Sequence, residues 1–339
     1  MKAFGLDCAL KHHVLCFCFL SALILPPRLY GEEIPLLTPT EPFPQLYISI
    51  QTGVIHGATK EMVFDQGQKI SEIAWDMKPI IVTGYAISAR PHKRVATHFS
   101  YWSGVNNHIG SVEDSDFKDG IKLSFSKHTA TLERAYLADL DIGYDFLKSN
   151  SVALTGILGY SLRRIKMGAK DGYVESPPGS TPKDIFGMGI AYEQIYKFPY
   201  IGIAFDYVLQ KKLTLNLSTF YSNHVAIDTL DNHFRRGIDF YDIVRGGVYY
   251  ALGPSVHFRI GENNVLSASS LYMNVKEVRG NSYSVDTSTG EKSSIRENGA
   301  GTRFDAYTVV LSWTVFGIIA LCWPYRVGSP LYPLSTVHG

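Results

Sequence analysis

Repeated alternation of apolar and polar residues along extended stretches constrains this chain most. Leu46, Ile48 and Ile50 take one parity and Tyr47, Ser49 and Gln51 the other. Leu140, Ile142, Tyr144 and Phe146 alternate with Asp139, Asp141, Gly143 and Asp145, and Tyr307, Val309, Leu311, Trp313 and Val315 with Thr308, Val310, Ser312 and Thr314. Successive side chains of a strand point to opposite faces, so each stretch reads as a strand with two unlike faces. Seven further stretches follow the same reading: Ser71–Ala89, a run from Val95, Val152–Ile165, Ile185–Leu209, a run from Leu213, Tyr241–Arg259 and Val265–Lys276. Ten strands are expected.

The connectors alternate in length. Arg90–Arg94, Leu147–Ser151, Gln210–Lys212 and Gly261–Asn264 are short turns. Ser103–Thr131, Lys166–Lys183, the segment holding Asp231 and His233, and Gly280–Gly299 read as long polar loops. Membrane barrels have this asymmetry, with short turns on the periplasmic side and long loops outside. Lipid outside and a polar lumen account for the two parities, and closure leaves no unpaired edge. Several strands exceed the roughly 9–11 residues that cross a bilayer. The expected fold is therefore all-β: a ten-stranded antiparallel transmembrane β-barrel, spanning about 45–316 and extending above the outer membrane. A soluble barrel or two-sheet protein is the alternative.

Composition supports the barrel and narrows its chemistry. The 21 Tyr, 18 Phe and 30 Gly suit aromatic-bearing strands. A net charge of +1 gives no reason to expect nucleic acid. Of four cysteines, Cys8, Cys16 and Cys18 lie near the N-terminus and Cys322 near the other end, so neither a disulfide framework nor a thiolate zinc site is expected in the body. Lys2, Lys11 and the apolar run Val14–Leu25 read as a secretory signal over 1–31. Residues 32–44, with four prolines, read as an extended leader. Residues 317–339 form an extension of unassigned role.

Chemistry is expected at the outer mouth. Asp231 and His233 are two residues apart, so on extended backbone they share a face, where a carboxylate can orient an imidazole as a base for water. Asp114 and Asp116 have the same spacing, and two close carboxyls raise one another's pKa, so that one can keep a proton to share. Taken alone, each pair reads first as a solvated polar loop, or for the aspartates as a weak calcium site.

Several runs together resemble the omptin family of outer-membrane proteases. They are Ala58-Thr59-Lys60-Glu61, Ser71-Glu72-Ile73-Ala74-Trp75, Asp114-Ser115-Asp116-Phe117-Lys118-Asp119, Lys197-Phe198-Pro199-Tyr200-Ile201-Gly202, Asp231-Asn232-His233 and Asn298-Gly299-Ala300-Gly301. The resemblance covers about Leu46 to Phe316. It implies a ten-stranded barrel in the bacterial outer membrane that cleaves polypeptides at the cell surface, mostly beside basic residues, with its site facing the exterior. Asp114 and Asp116 take the place of the family's aspartate couple, and Asp231 and His233 that of its Asp-His dyad. The implied mechanism is attack by an activated water, with neither an acyl-enzyme nor a metal.

The departures are specific. Glu61 matches one acid of the family's pocket for a basic side chain. Thr229 stands where the second is expected, and Asp228, on the opposite parity, is the nearby candidate. The family binds lipopolysaccharide on its outer wall, and Tyr160, Arg164 and Arg245 match that site, while Leu162 replaces a Glu and Ile195 an Arg. No cofactor is implied beyond this outer-membrane lipid. The implied partners are polypeptide substrates and lipid, and the barrel is expected to be monomeric. Two other readings remain open: a catalytically weak or silent barrel acting as an adhesin or host-protein binder, suggested by the altered pocket, and a pore, suggested by acidic residues such as Asp139 and Asp206.

Overall fold

The computed structural model describes residues 45–317. The expected signal, the leader and all but the first residue of the C-terminal extension lie outside them. Eleven strands follow in order: β1 (Gln45–Asp65), β2 (Gln68–His92), β3 (Val95–Gly104), β4 (His108–Lys118), β5 (Ile121–Lys148), β6 (Val152–Glu175), β7 (Lys183–Gln210), β8 (Leu213–His233), β9 (Ile238–Arg259), β10 (Asn264–Asp286) and β11 (Arg296–Gly317). Neighbours are antiparallel, and β1 pairs with β11 from Leu46↔Gly317 to Val63↔Ala300, which closes the ring.

Both β3 and β4 pair with β2 on one side and β5 on the other. They are two halves of one stave, so the barrel has ten staves, as expected. The break falls at Val105–Asn107, and Asn106 bridges it. Its side chain accepts from the Ile81 amide at 2.7 Å and donates to the carbonyls of Pro79 (2.9 Å) and His108 (2.7 Å). Backbone groups left without a ladder partner are thereby satisfied.

The long polar loops expected from the sequence are largely strand. β4 carries residues 108–118, β6 continues to Glu175, β8 to His233 and β10 to Asp286. Sharp two-residue turns join some of these extensions. Gln66-Gly67 (φ 47° and 82°) joins β1 to β2, and Asp119-Gly120 (φ 53° and 77°) joins β4 to β5. Two successive positive φ values match the twist of the flanking strands in a hairpin. The physical reason for the misreading is solvent. Above the membrane the outer face meets water, so both parities carry polar residues and the alternation fades.

Lower down, the outer face is apolar. Ile50 (66% exposed), Leu140 (59%), Ile201 (59%) and Trp313 (54%) stand outward, as a lipid-facing band requires. The lumen is filled. Trp75 on β2 stacks on Tyr192 on β7 with ring centroids 5.6 Å apart, although these strands are not neighbours in the ring. Tyr196 packs edge-on against Phe304 at 5.7 Å. Arg163 donates to Ser161 Oγ (3.2 Å) and Tyr249 Oη (3.1 Å) and lies over the Phe198 and Tyr249 rings. These contacts bridge the barrel from wall to wall, so the pore reading is not supported.

Candidate active site

Four strand ends place acidic side chains in the upper interior. On β8, Ile227, Thr229 and Asp231 are buried and His233 continues the same inward parity. On β4, Asp114 and Asp116 follow the buried Val112 at the same spacing. Glu61 on β1 is 4% exposed and Asp242 on β9 is 7% exposed. β4 and β8 are not adjacent in the ring, so the two pairs face each other across the lumen.

The Asp-His pair is made. His233 Nε2 lies 2.5 Å from Asp231 Oδ2, and Phe240 packs edge-on against the imidazole with centroids 5.1 Å apart. Ring packing and the carboxylate together fix the tautomer and orientation of the imidazole. With Nε2–H donated to Asp231, Nδ1 carries the lone pair. Opposite, Ser124 Oγ donates to Asp116 Oδ2 at 2.6 Å.

Among the described residues, three buried carboxylate oxygens lack a hydrogen-bond partner: Glu61 Oε2, Asp114 Oδ1 and Asp231 Oδ1. Such groups are rare in folded proteins and call for an explanation, of which a catalytic role is one. The electrostatics agree. Burial, reinforced by Asp116, pushes the Asp114 carboxyl up to about 6, with His233 and Arg236 opposing. Burial also raises Asp231, against the hydrogen bond from His233. Glu61 is pushed well above the usual carboxylate range by burial and then by the charges of Asp231, Asp242 and Asp114. Asp114 thus feels both Asp231 and His233 from across the lumen.

Asp228 requires a correction. It does not enter the interior with Glu61. It lies on the other face of β8, where it accepts from Lys197 Nζ (3.2 Å) and Arg245 Nη2 (2.6 Å). The two-residue strand period sends Thr229 inward and Asp228 out. The residue missed by the sequence reading is Asp242. Thr229 Oγ1 donates to its Oδ2 at 2.9 Å, and the two are paired across β8 and β9. Pairing β8 with β9 about the tight turn after His233 would have found it.

The three expected lipid contacts are on the outer wall. Tyr160 is 49% exposed. Arg164 donates to both carboxylate oxygens of Glu193, at 2.6 and 3.2 Å, and Arg245 is held by Asp228. Lys197, paired across from Leu162, adds a cation beside them.

A model of the Omptin family matches residues 43–314. The chain belongs to the omptin family. It is an outer-membrane β-barrel protease of the aspartic-endopeptidase type, and its substrates are polypeptides. The plasminogen activator of Yersinia pestis is 24% identical over 289 residues, covering 82% of this chain and 90% of that protein. Protease 7 of Escherichia coli strain K12 is 26% identical over 270 residues, covering 74% and 84%. The crystal structure of the outer membrane protease OmpT from Escherichia coli superimposes with a TM-score of 0.72 at 22% identity, over 80% of this chain and 97% of that one. That likeness speaks to the fold. Within this omptin, the dyad, the aspartate couple and Glu61 are brought together, whereas Asp228 is not.

Proposed function

We propose that this omptin hydrolyses polypeptides at the cell surface, next to basic residues, using a water activated between Asp231–His233 and Asp114–Asp116. The observation that carries the reading is the 2.5 Å contact of His233 Nε2 with Asp231 Oδ2, across the lumen from Asp114, whose Oδ1 is buried and unpartnered. His233 Nδ1 takes a proton from the water, and Asp231 stabilises the imidazolium that forms. The aspartate couple holds the water from the other side. Asp114, whose carboxyl is pushed up to about 6 by burial and the nearby Asp116 charge, shares the proton. The new C–O bond forms as the water attacks the carbonyl. The C–N bond then breaks, and the imidazolium returns its proton to the leaving amine. Glu61 receives a basic side chain on the substrate. One chain carries every residue named, so a monomer suffices.

Tyr160, Arg164, Lys197 and Arg245 form the outer-wall patch that would meet an anionic lipid headgroup. Glu193 and Asp228 already pair with its arginines, and the adhesin-like reading rests on this altered lipid site together with the altered pocket. The two are separated by refolding the barrel with lipopolysaccharide or a native lipid extract and offering a quenched peptide with paired basic residues. Cleavage that disappears in His233→Ala and Asp114→Ala is the expected result. No cleavage across several lipids and peptides, alongside tight capture of protein ligands, sinks the protease reading.

A further inference from the structure

Among the described residues, Glu61 Oε2 has no hydrogen-bond partner. The atom is buried, and the influences on the Glu61 carboxyl are burial and three other acids. A charge left in that state is costly unless a counter-charge arrives. Three features indicate the kind of counter-charge.

The floor of the space beside Glu61 is neutral and, apart from the buried Tyr196 Oη, hydrogen-bonded within itself. Thr59 Oγ1 donates to Gln194 Oε1 at 2.9 Å, and Gln194 Nε2 donates to Tyr192 Oη (2.9 Å) and Thr302 Oγ1 (3.1 Å). The charge must therefore come from the walls. Tyr192 feels two of them, since burial and then the charges of Glu61 and Asp242 push its phenol well up. Lastly, among the described residues no three acids or histidines converge as a metal-ligand set does. Carboxylates spread this far suit an extended organic cation, a guanidinium or ammonium on a flexible stem, better than a bare ion.

We infer that Asp242 is the second acid of the pocket for the substrate's basic side chain, and that Thr229 holds it in place. The inference rests on the proposed cleavage beside basic residues and deepens it. Thr229 occupies the β8 position where the family resemblance leads one to expect an acid. Its hydroxyl donates to Asp242 Oδ2 at 2.9 Å from the paired position on β9. The carboxylate has moved one strand around the barrel while still facing the same interior. Thr229 is a positioning residue: it orients the carboxylate and carries no charge. Burial and then the Asp231 charge push the Asp242 carboxyl up to about 7, against the Thr229 hydrogen bond, so its charge develops through neutral pH and is complete only above it.

The test uses the full barrel refolded in lipid. Matched fluorogenic peptides carry Arg, Lys or norleucine before the cut, and kcat/KM is measured for the parent, Asp242→Asn, and the double variant Thr229→Asp with Asp242→Asn. Heat-modifiable gel mobility confirms that each is folded. The Arg-to-norleucine preference should fall about thirty-fold in Asp242→Asn, the size expected when one charge partner of a desolvated cation is neutralised. It should recover in the double variant, which returns the acid to β8. A preference unchanged in Asp242→Asn, or equal losses on all three peptides, overturns the inference.

Binding of benzamidine, read by calorimetry on the same proteins, keeps the result independent of turnover. If the parent cleaves nothing, the proposed function fails. Loss of benzamidine binding in Asp242→Asn then still supports the pocket, and retained binding overturns it.

Discussion

Asp231 and His233 stand two residues apart on one inward face of β8, with His233 Nε2 2.5 Å from Asp231 Oδ2. This geometry separates the roles of the two side chains. Asp231→Asn keeps the shape but offers an amide where the imidazole N–H needs an acceptor, which favours the wrong tautomer. The expected result is a fall in kcat of the order of 10³–10⁴ with KM nearly unchanged, measured on a cleavable basic peptide. A comparable rise in KM alone would assign Asp231 to binding.

Asp114 carries a cost in stability that can be removed. Burial holds its carboxyl at about 6 against an ordinary value of 3.8, so ionising it is harder in the folded barrel than in the unfolded chain. The cost is absent below pH 4, where the group is protonated in both states, and complete above pH 6. Asp114→Asn should therefore stabilise the barrel by about 3 kcal/mol at pH 7.5 and by almost nothing at pH 4, while abolishing cleavage. Urea midpoints in lipid at the two pH values decide it.

The preference for basic residues should depend on pH. Asp242 is charged above about 7 and neutral below it. The groups facing it are Glu61 on β1, Tyr192 on β7, Thr229 and Asp231 on β8, with Asp114 on β4 acting on the same cluster through Glu61. Protonation of Asp242 removes an attraction for a substrate cation and none for a neutral side chain. The ratio of kcat/KM for Arg and norleucine peptides should rise from pH 5.5 to 8.5, and this rise should flatten in Asp242→Asn. A parent ratio that is flat over the same range excludes Asp242 as the titrating group.

On the outer wall, Asp228 holds Lys197 and Arg245 at 3.2 and 2.6 Å. Asp228→Asn frees both cations for an anionic headgroup. Binding to vesicles containing anionic lipid should tighten a few-fold and become more sensitive to salt, since exposed pairs contribute little individually. Unchanged vesicle binding would remove this patch as the lipid contact.

Much of the barrel was legible in the sequence, for a reason that ends at the membrane surface. Where lipid lies outside, Leu140, Ile142, Tyr144 and Phe146 alternate cleanly with Asp141, Gly143 and Asp145, and strand and facing follow together. Above the lipid the same strands run on through residues such as Glu113–Asp116, where both faces are polar and the stretch reads as a loop. The catalytic candidates were nevertheless found, because their i, i+2 spacing survives the loss of alternation. The pocket was not. Asp228 neighbours Thr229 in sequence yet sits on the opposite face, and Asp242 neighbours it only across the ladder. Register between strands is set by turns and packing, which no local pattern records.

The stacking of Trp75 on Tyr192 across the lumen has a consequence for the cell that carries this protein. A barrel closed by its own side chains adds a cutting edge to the envelope without adding a leak. Copy number can then follow the demand for surface proteolysis alone. Conductance across planar bilayers should stay at background at any density of inserted barrels, so the bacterium's exclusion of small toxic solutes is not traded away for the enzyme.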